Sequence, residues 1–135
     1  MTALVTDRNT PLRDSSQYGL PVAASTKIFA GSLVCLNASG FLTKGAVATT
    51  LKAVGMAEES VDNSAGANGA LSCKVRRGCF KFANSSAGDL IVAADWGASC
   101  YVVDDQTVAK TNGSSTRSVA GIVRQVDSDG VWVEI

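Results

Sequence analysis

The chain has 135 residues, twelve basic and twelve acidic, and no histidine. A balanced charge argues against a nucleic-acid binder, whose affinity rests on an excess of Lys and Arg facing phosphates. Without histidine, Ser-His-Asp and Cys-His nucleophiles, HExxH metal sites and the commonest general base are all excluded. The length suits one domain with a real core, which buries roughly 68% of the surface its unfolded chain exposes. Only 18% of residues are charged, which fits a protein that hides part of its surface in an assembly.

The opening MTALVTDRNT has neither the basic nor the apolar region of a secretory signal, and no apolar run is long enough to span a bilayer. A reducing cytoplasm is therefore the expected place of synthesis, with Cys35, Cys73, Cys79 and Cys100 as thiols.

Residues 1–26 hold both prolines, Pro11 and Pro21, and their apolar residues follow no period. Each proline pushes its predecessor toward extended geometry, so the segment reads as an extended arm, with residues 27–135 as a single β domain. Fully drawn out, the arm would reach roughly 85 Å, more than a small domain's diameter.

From Lys27 onward short apolar runs alternate with turn residues. Expected strands are Lys27–Phe29, Leu33–Leu36, Phe41–Thr43, Ala53–Glu59, Ala70–Arg76, Cys79–Ala83, Leu90–Val92, Cys100–Val103, Val119–Val126 and Val131–Ile135. Between them lie NASG, DNSAGANG, NSSAGD, TNGSST and DSDG. Short strands with turns at this spacing mark an all-β fold, a compact sandwich or barrel of mainly antiparallel strands. Asp129-Gly130 signals a terminal hairpin. Helix is limited to a turn near Ala93–Trp96, because no eleven-residue window keeps a 3.6 period without a glycine break. An internal echo also runs through the chain: Ala30–Val34 resembles Ala87–Ile91, and Ala53–Ala57 resembles Val119–Val123.

CKVRRGCFKF, residues 73–82, is the one stretch that suggests chemistry. The cysteine intervals are 38, 6 and 21 residues, so there is no CxxC pair and no zinc pattern. In a strand reading Leu71, Cys73 and Val75 share a core face and Lys74 and Arg76 the opposite, solvated one. Arg77-Gly78 is then a bulge or tight turn, with Phe80 and Phe82 inside beyond it. The cysteines read as small buried hydrophobes. The basic face lacks the in-phase aromatics of a single-strand nucleic-acid binder and suits an acidic protein neighbour instead. DNSAGANG lacks the ligands of a calcium loop, no glycine group continues into G-K-[ST], and Glu58-Glu59 and Asp104-Asp105 would point to opposite faces of a strand. No catalytic, cofactor-binding or metal-binding residue emerges.

Several linked blocks, KIFAGSLV, VGMAEESVDNSAGANGA, RRGCFKFAN and DDQTVAKTNG, resemble the capsid decoration, or cement, proteins of tailed bacteriophages. The resemblance runs from about Leu20 to Ile135. It implies a β-rich structural protein of the virion that binds the outer surface of the head and stabilises the shell, commonly as a homotrimer. Its partners would be the major capsid protein and further copies of itself, with no nucleic acid, membrane, cofactor or catalysis. No short motif transfers with the resemblance, so contact residues are inferred from the chain. Arg8, Asn9, Thr10, Pro11, Arg13 and Tyr18 of the arm, poorly explained by any core, are the expected capsid or intersubunit contacts, joined by Lys74 and Arg76. Trp132 is expected in the core, and Trp96 in either core or interface. The rival reading is a ligand- or carbohydrate-binding β-sandwich module on a virion or cell surface, which needs displayed aromatics; the chain has only two Trp, two Tyr and four Phe.

Overall fold

The computed structural model describes residues 2–135. Twelve strands follow one another: β1 (Gln17–Pro21), β2 (Thr26–Ile28), β3 (Leu33–Leu36), β4 (Leu42–Lys44), β5 (Lys52–Ala57), β6 (Val61–Asn63), β7 (Ser72–Arg76), β8 (Cys79–Asn84), β9 (Ser99–Val102), β10 (Thr107–Ala109), β11 (Val119–Asp127) and β12 (Gly130–Glu134). Among the described residues helix is confined to two 3-10 turns, Ala87–Asp89 and Ala93–Asp95. The fold is all-β and mainly antiparallel, as the turn spacing requires. β8 to β12 close a barrel in the order β10-β8-β12-β11-β9, and the earlier strands form a sheet in the order β1-β7-β5-β3-β4, with β2 and β6 as a separate pair.

The expected strands at Leu33–Leu36, Cys79–Ala83 and Val131–Ile135 lie within a residue of β3, β8 and β12, and Ser128-Asp129 is the two-residue loop of the terminal hairpin. Leu90–Val92 is not a strand. Ile91 is buried there, but its N–H donates to Asn84 Oδ1 at 3.0 Å and its carbonyl accepts from Asn84 Nδ2 at 2.8 Å. One amide side chain replaces the strand partner. The segment expected to be arm enters the sheet at Gln17, where β1 pairs with β7, and Val22 and Ala23 are buried. Residues 2–15 remain exposed.

The two halves of the chain repeat the same pairing, register for register. In β3–β5 the pairs are Leu33–Met56, Val34–Gly55 and Cys35–Ala53. In β9–β11 they are Ser99–Ile122, Cys100–Gly121 and Tyr101–Val119. Each partner stands 66 positions further on (33 to 99, 56 to 122, 53 to 119), and both ladders skip one residue, Val54 or Ala120. Cys35–Thr43 and Leu36–Leu42 of β3–β4 recur as Tyr101–Ala109 and Val102–Val108. Tyr18–Val75 and Leu20–Cys73 of β1–β7 recur as Phe80–Val133 and Phe82–Val131. Even the parallel closure recurs. Asn84 pairs with Val108 where the second barrel closes, and the equivalent residues Val22 and Leu42 form an isolated parallel bridge in the first half. The first half is thus a second copy of the same five-stranded unit, closed at a single bridge.

The echo between Ala53–Ala57 and Val119–Val123 belongs to this repeat. The echo between Ala30–Val34 and Ala87–Ile91 does not. Gly31 is matched by Gly97, since both have positive φ (89° and 81°) and each donates its N–H at 2.8 Å, to the carbonyls of Ala57 and Val123.

Each unit has its own core. Val22, Ile28, Val34, Leu42, Ala57, Cys73 and Val75 fill the first. Ile91, Val102, Val108, Val123, Val131 and Val133 lie in the second. Full burial of one such aliphatic side chain contributes roughly 1.5–3 kcal/mol. The units join because β3 has two apolar faces. Val34 points into the first core, while Leu33 and Cys35 are buried in the second. The Leu33 N–H donates to Asp105 O at 2.7 Å across the junction.

Candidate functional site

The expected contact residues divide into two groups. Arg8, Asn9, Thr10 and Pro11 lie on the exposed arm, where among the described residues no side-chain hydrogen bond or ion pair holds them. The chain becomes anchored only at its root. Asp14 accepts from Ser16 N at 3.0 Å and Ser16 Oγ at 2.9 Å, and the Arg77 N–H donates to Ser16 O at 2.8 Å. The Ser16 hydroxyl chiefly, then its N–H, holds the Asp14 carboxyl below its ordinary value.

The second group meets at that root. Arg13 lies 4.7 Å from the centre of the Tyr18 ring. Strand alternation in β7 buries Cys73 and Val75 and turns Lys74 and Arg76 outward, the phase expected from the sequence. Arg13, Tyr18 and Lys74, with Gln17, Gly19 and Glu58, line a shallow groove of about 300 Å³. Arg76 Nε donates to Glu58 Oε1 at 2.6 Å, and Gln17 Nε2 donates to Glu58 Oε2 at 2.7 Å. The Arg76 hydrogen bond is the main reason that the Glu58 carboxyl is held below its usual range.

Glu58 is the member of this site that the sequence does not disclose. A strand running through Glu59 would send the two glutamates to opposite faces, but β5 ends at Ala57. Released from the pleat, both serve β7: Glu58 takes the Arg76 side chain and Glu59 accepts the Lys74 backbone N–H at 2.9 Å. Arg76 is therefore neutralised within its own chain. Arg13 and Lys74, which have no ion pair among the described residues, supply the free positive charge.

Three expectations are corrected. Trp132 is half-buried on the outer face of β12, because alternation places Val131 and Val133 inside. Its Nε1 donates to Asp127 Oδ2 at 2.8 Å. Cys79 is exposed for the same reason, its neighbours Phe80 and Phe82 taking the inward phase; Cys35, Cys73 and Cys100 are buried thiols. Leu71 precedes β7 and is 45% exposed, outside the core face it was expected to join. Trp96 is 65% exposed, with the Arg124 guanidinium 5.2 Å from its ring centre.

Among the described residues no group of three or more His, Cys, Asp or Glu side chains is placed to hold a metal ion. What the region offers is a groove bearing the cations of Arg13 and Lys74, continuous with the exposed residues 2–15. No family model, no curated protein and no solved structure matches the chain.

Proposed function

We propose that the chain is a structural virion protein, a capsid decoration protein that binds the outer surface of a tailed-phage head and stabilises the shell. The observation that carries this reading is the arm. Leu4, Val5 and Leu12 are 72%, 88% and 99% exposed, and a segment that leaves such side chains in water gains from a partner that covers them. The arm would supply the apolar contacts, and Arg13, Tyr18 and Lys74 at its root would meet acidic or polar groups of the major capsid protein. A standard interface buries about 800 Å² per partner. A homotrimer engaging three capsid sites would add avidity through effective concentration.

The glycan-binding alternative draws on the exposed Trp96 and on Phe29, which is 57% exposed. Each ring already has a cation against it, Arg124 at 5.2 Å and Lys27 at 5.3 Å, which leaves less open ring face for a sugar. Co-sedimentation of the full chain, and of the chain lacking residues 2–15, with heads that lack the protein tests the reading. Binding by the full chain and its loss on truncation are expected; equal binding by both would overturn the role of the arm.

A further inference from the structure

The repeat exposes an asymmetry between equivalent barrel ends. In the second unit Phe82, Val102 and Ala120 are 5%, 0% and 3% exposed. Their counterparts in the first unit, Leu20, Leu36 and Val54, are only half-buried where they pack against the first core. Together with Tyr18, Arg77 and Ile135 they line an apolar cavity of about 340 Å³. The same end of the same fold is closed in one unit and open in the other.

What closes the second unit is the first. Leu33 and Cys35 are fully buried against its core, with Leu51 and Ala53 packed beside them. The contact is tight: a β-carbon on Gly45 would stand 2.6 Å from the carbonyl oxygen of Asp104. The repeat carries the positions of this closing surface a second time, with different side chains. Sixty-six positions on from Leu33, Cys35, Leu51 and Ala53 stand Ser99, Tyr101, Arg117 and Val119. Of the four, Arg117 is held by Asp89 at 3.0 Å within its own unit, which leaves Tyr101 and Val119 as the available face. Tyr101 is half-buried and Val119 is 49% exposed. One chain therefore has an unfilled socket at its first unit and an unused plug at its second.

We propose that the open end of the first unit receives the Tyr101–Val119 face of the second unit of another copy, so that copies associate head to tail through the contact that already joins the two units within a chain. A heterologous contact of this kind repeats into a ring where its rotation closes and into an open filament where it does not. The number of copies rests on the homotrimer of the preceding reading, and three copies would place six units in the ring. Head binding is a separate matter: a chain that associates in this way but leaves heads bare would sink the virion reading and leave this one standing.

Solution mass tests the proposal, with Leu36→Glu in the socket and Val119→Glu in the plug, each checked for its β signal by circular dichroism. Tyr18→Glu serves as the socket variant if Leu36→Glu fails to fold. The full chain is expected at a multiple of its 13.8 kDa, and each variant alone at 13.8 kDa, with association at least tenfold weaker. An equimolar mixture is expected to form a dimer, because one variant keeps a plug and the other a socket. A full chain that stays monomeric up to about 100 µM, within the range of weak specific contacts, would overturn the proposal. So would variants that keep the full mass, a mixture that stays monomeric, or loss of association on removing only residues 2–15.

Discussion

Gly55 and Gly121 occupy the same place in two successive units of one chain. A β-carbon on Gly55 would strike the carbonyl oxygen of Arg76, and one on Gly121 would strike that of Glu134, in each case with the neighbouring valine, Val75 or Val133, next in its way. Both positions let a bulged strand press against the next one, and Gly55 does so at φ 144°. Gly121→Ala is expected to cost about 1–3 kcal/mol through overpacking. Gly55→Ala is expected to cost about 1–2 kcal/mol more from backbone strain. Gly19→Ala, with nothing within 4 Å of the new atom, is expected to stay within about 0.5 kcal/mol. Urea midpoints measure all three, and equal losses at Gly55 and Gly19 would contradict the packing described.

Asn63 fastens the end of β1 to the loop after β6. Its side chain is 2% exposed overall, and its Nδ2 donates to Ala23 O at 2.9 Å and Ala67 O at 3.0 Å. Asn63→Ala strands those carbonyls in a dry site, a loss of about 1–3 kcal/mol. Chemical denaturation should show that loss, and a change below about 0.5 kcal/mol would mean that water replaces the amide.

Acid should be the pH extreme that unfolds the protein. Hydrogen bonds from Thr111 and Arg117 hold Asp89 below its ordinary value, and those from Trp132 and Gln125 do the same for Asp127. Carboxyls whose folded pKa is depressed contribute stability that is present above their unfolded values, 3.8 for aspartate here. That stability is lost as pH falls through the folded values. With no histidine in the chain, the melting temperature is expected to stay level through pH 6–7 and to fall below about pH 4. A melting temperature that rises on acidification would reverse the sign.

Thiol chemistry separates Cys79 from the other cysteines. Burial pushes Cys35 up to about 12 and Cys100 up to about 11, while Cys79 is exposed. A thiol-reactive dye should label one cysteine in the folded protein and four in denaturant, with Cys79→Ser abolishing the first. Partial burial, and then Glu134, raise the Cys79 thiol as well, so labelling should be slower than for a free thiol. Two or more fast native thiols would place another cysteine at the surface.

Strands were legible where apolar alternation spans enough residues to declare a period, as in Ser72–Arg76 and Val119–Asp127. β6 and β10 have three residues each, no fewer than β2 and β4, but VDN and TVA sit among polar neighbours where KIF and FL make apolar runs. β1 was hidden because Gly19 and Pro21 interrupt its pattern and its partner lies far along the chain in β7. The repeat was half visible for a related reason. Its offset is 62 at β1, 66 from β3 to β5 and 58 at β7, because the connections differ in length. Only around Gly55 and Gly121, where packing forbids a side chain, did the letters themselves stay alike. In the candidate site the outward phase of Lys74 and Arg76 followed from CKVRRGC alone. Glu58 did not, since its role depends on where β5 stops.

Mixing the purified chain with heads that lack it and imaging the product by electron cryomicroscopy tests attachment to the outside of a phage head. Added density is expected on the outer surface at symmetry-related positions, with the arm of residues 2–15 ordered against the capsid or a neighbouring copy. Heads that remain bare at saturating protein would rule that attachment out.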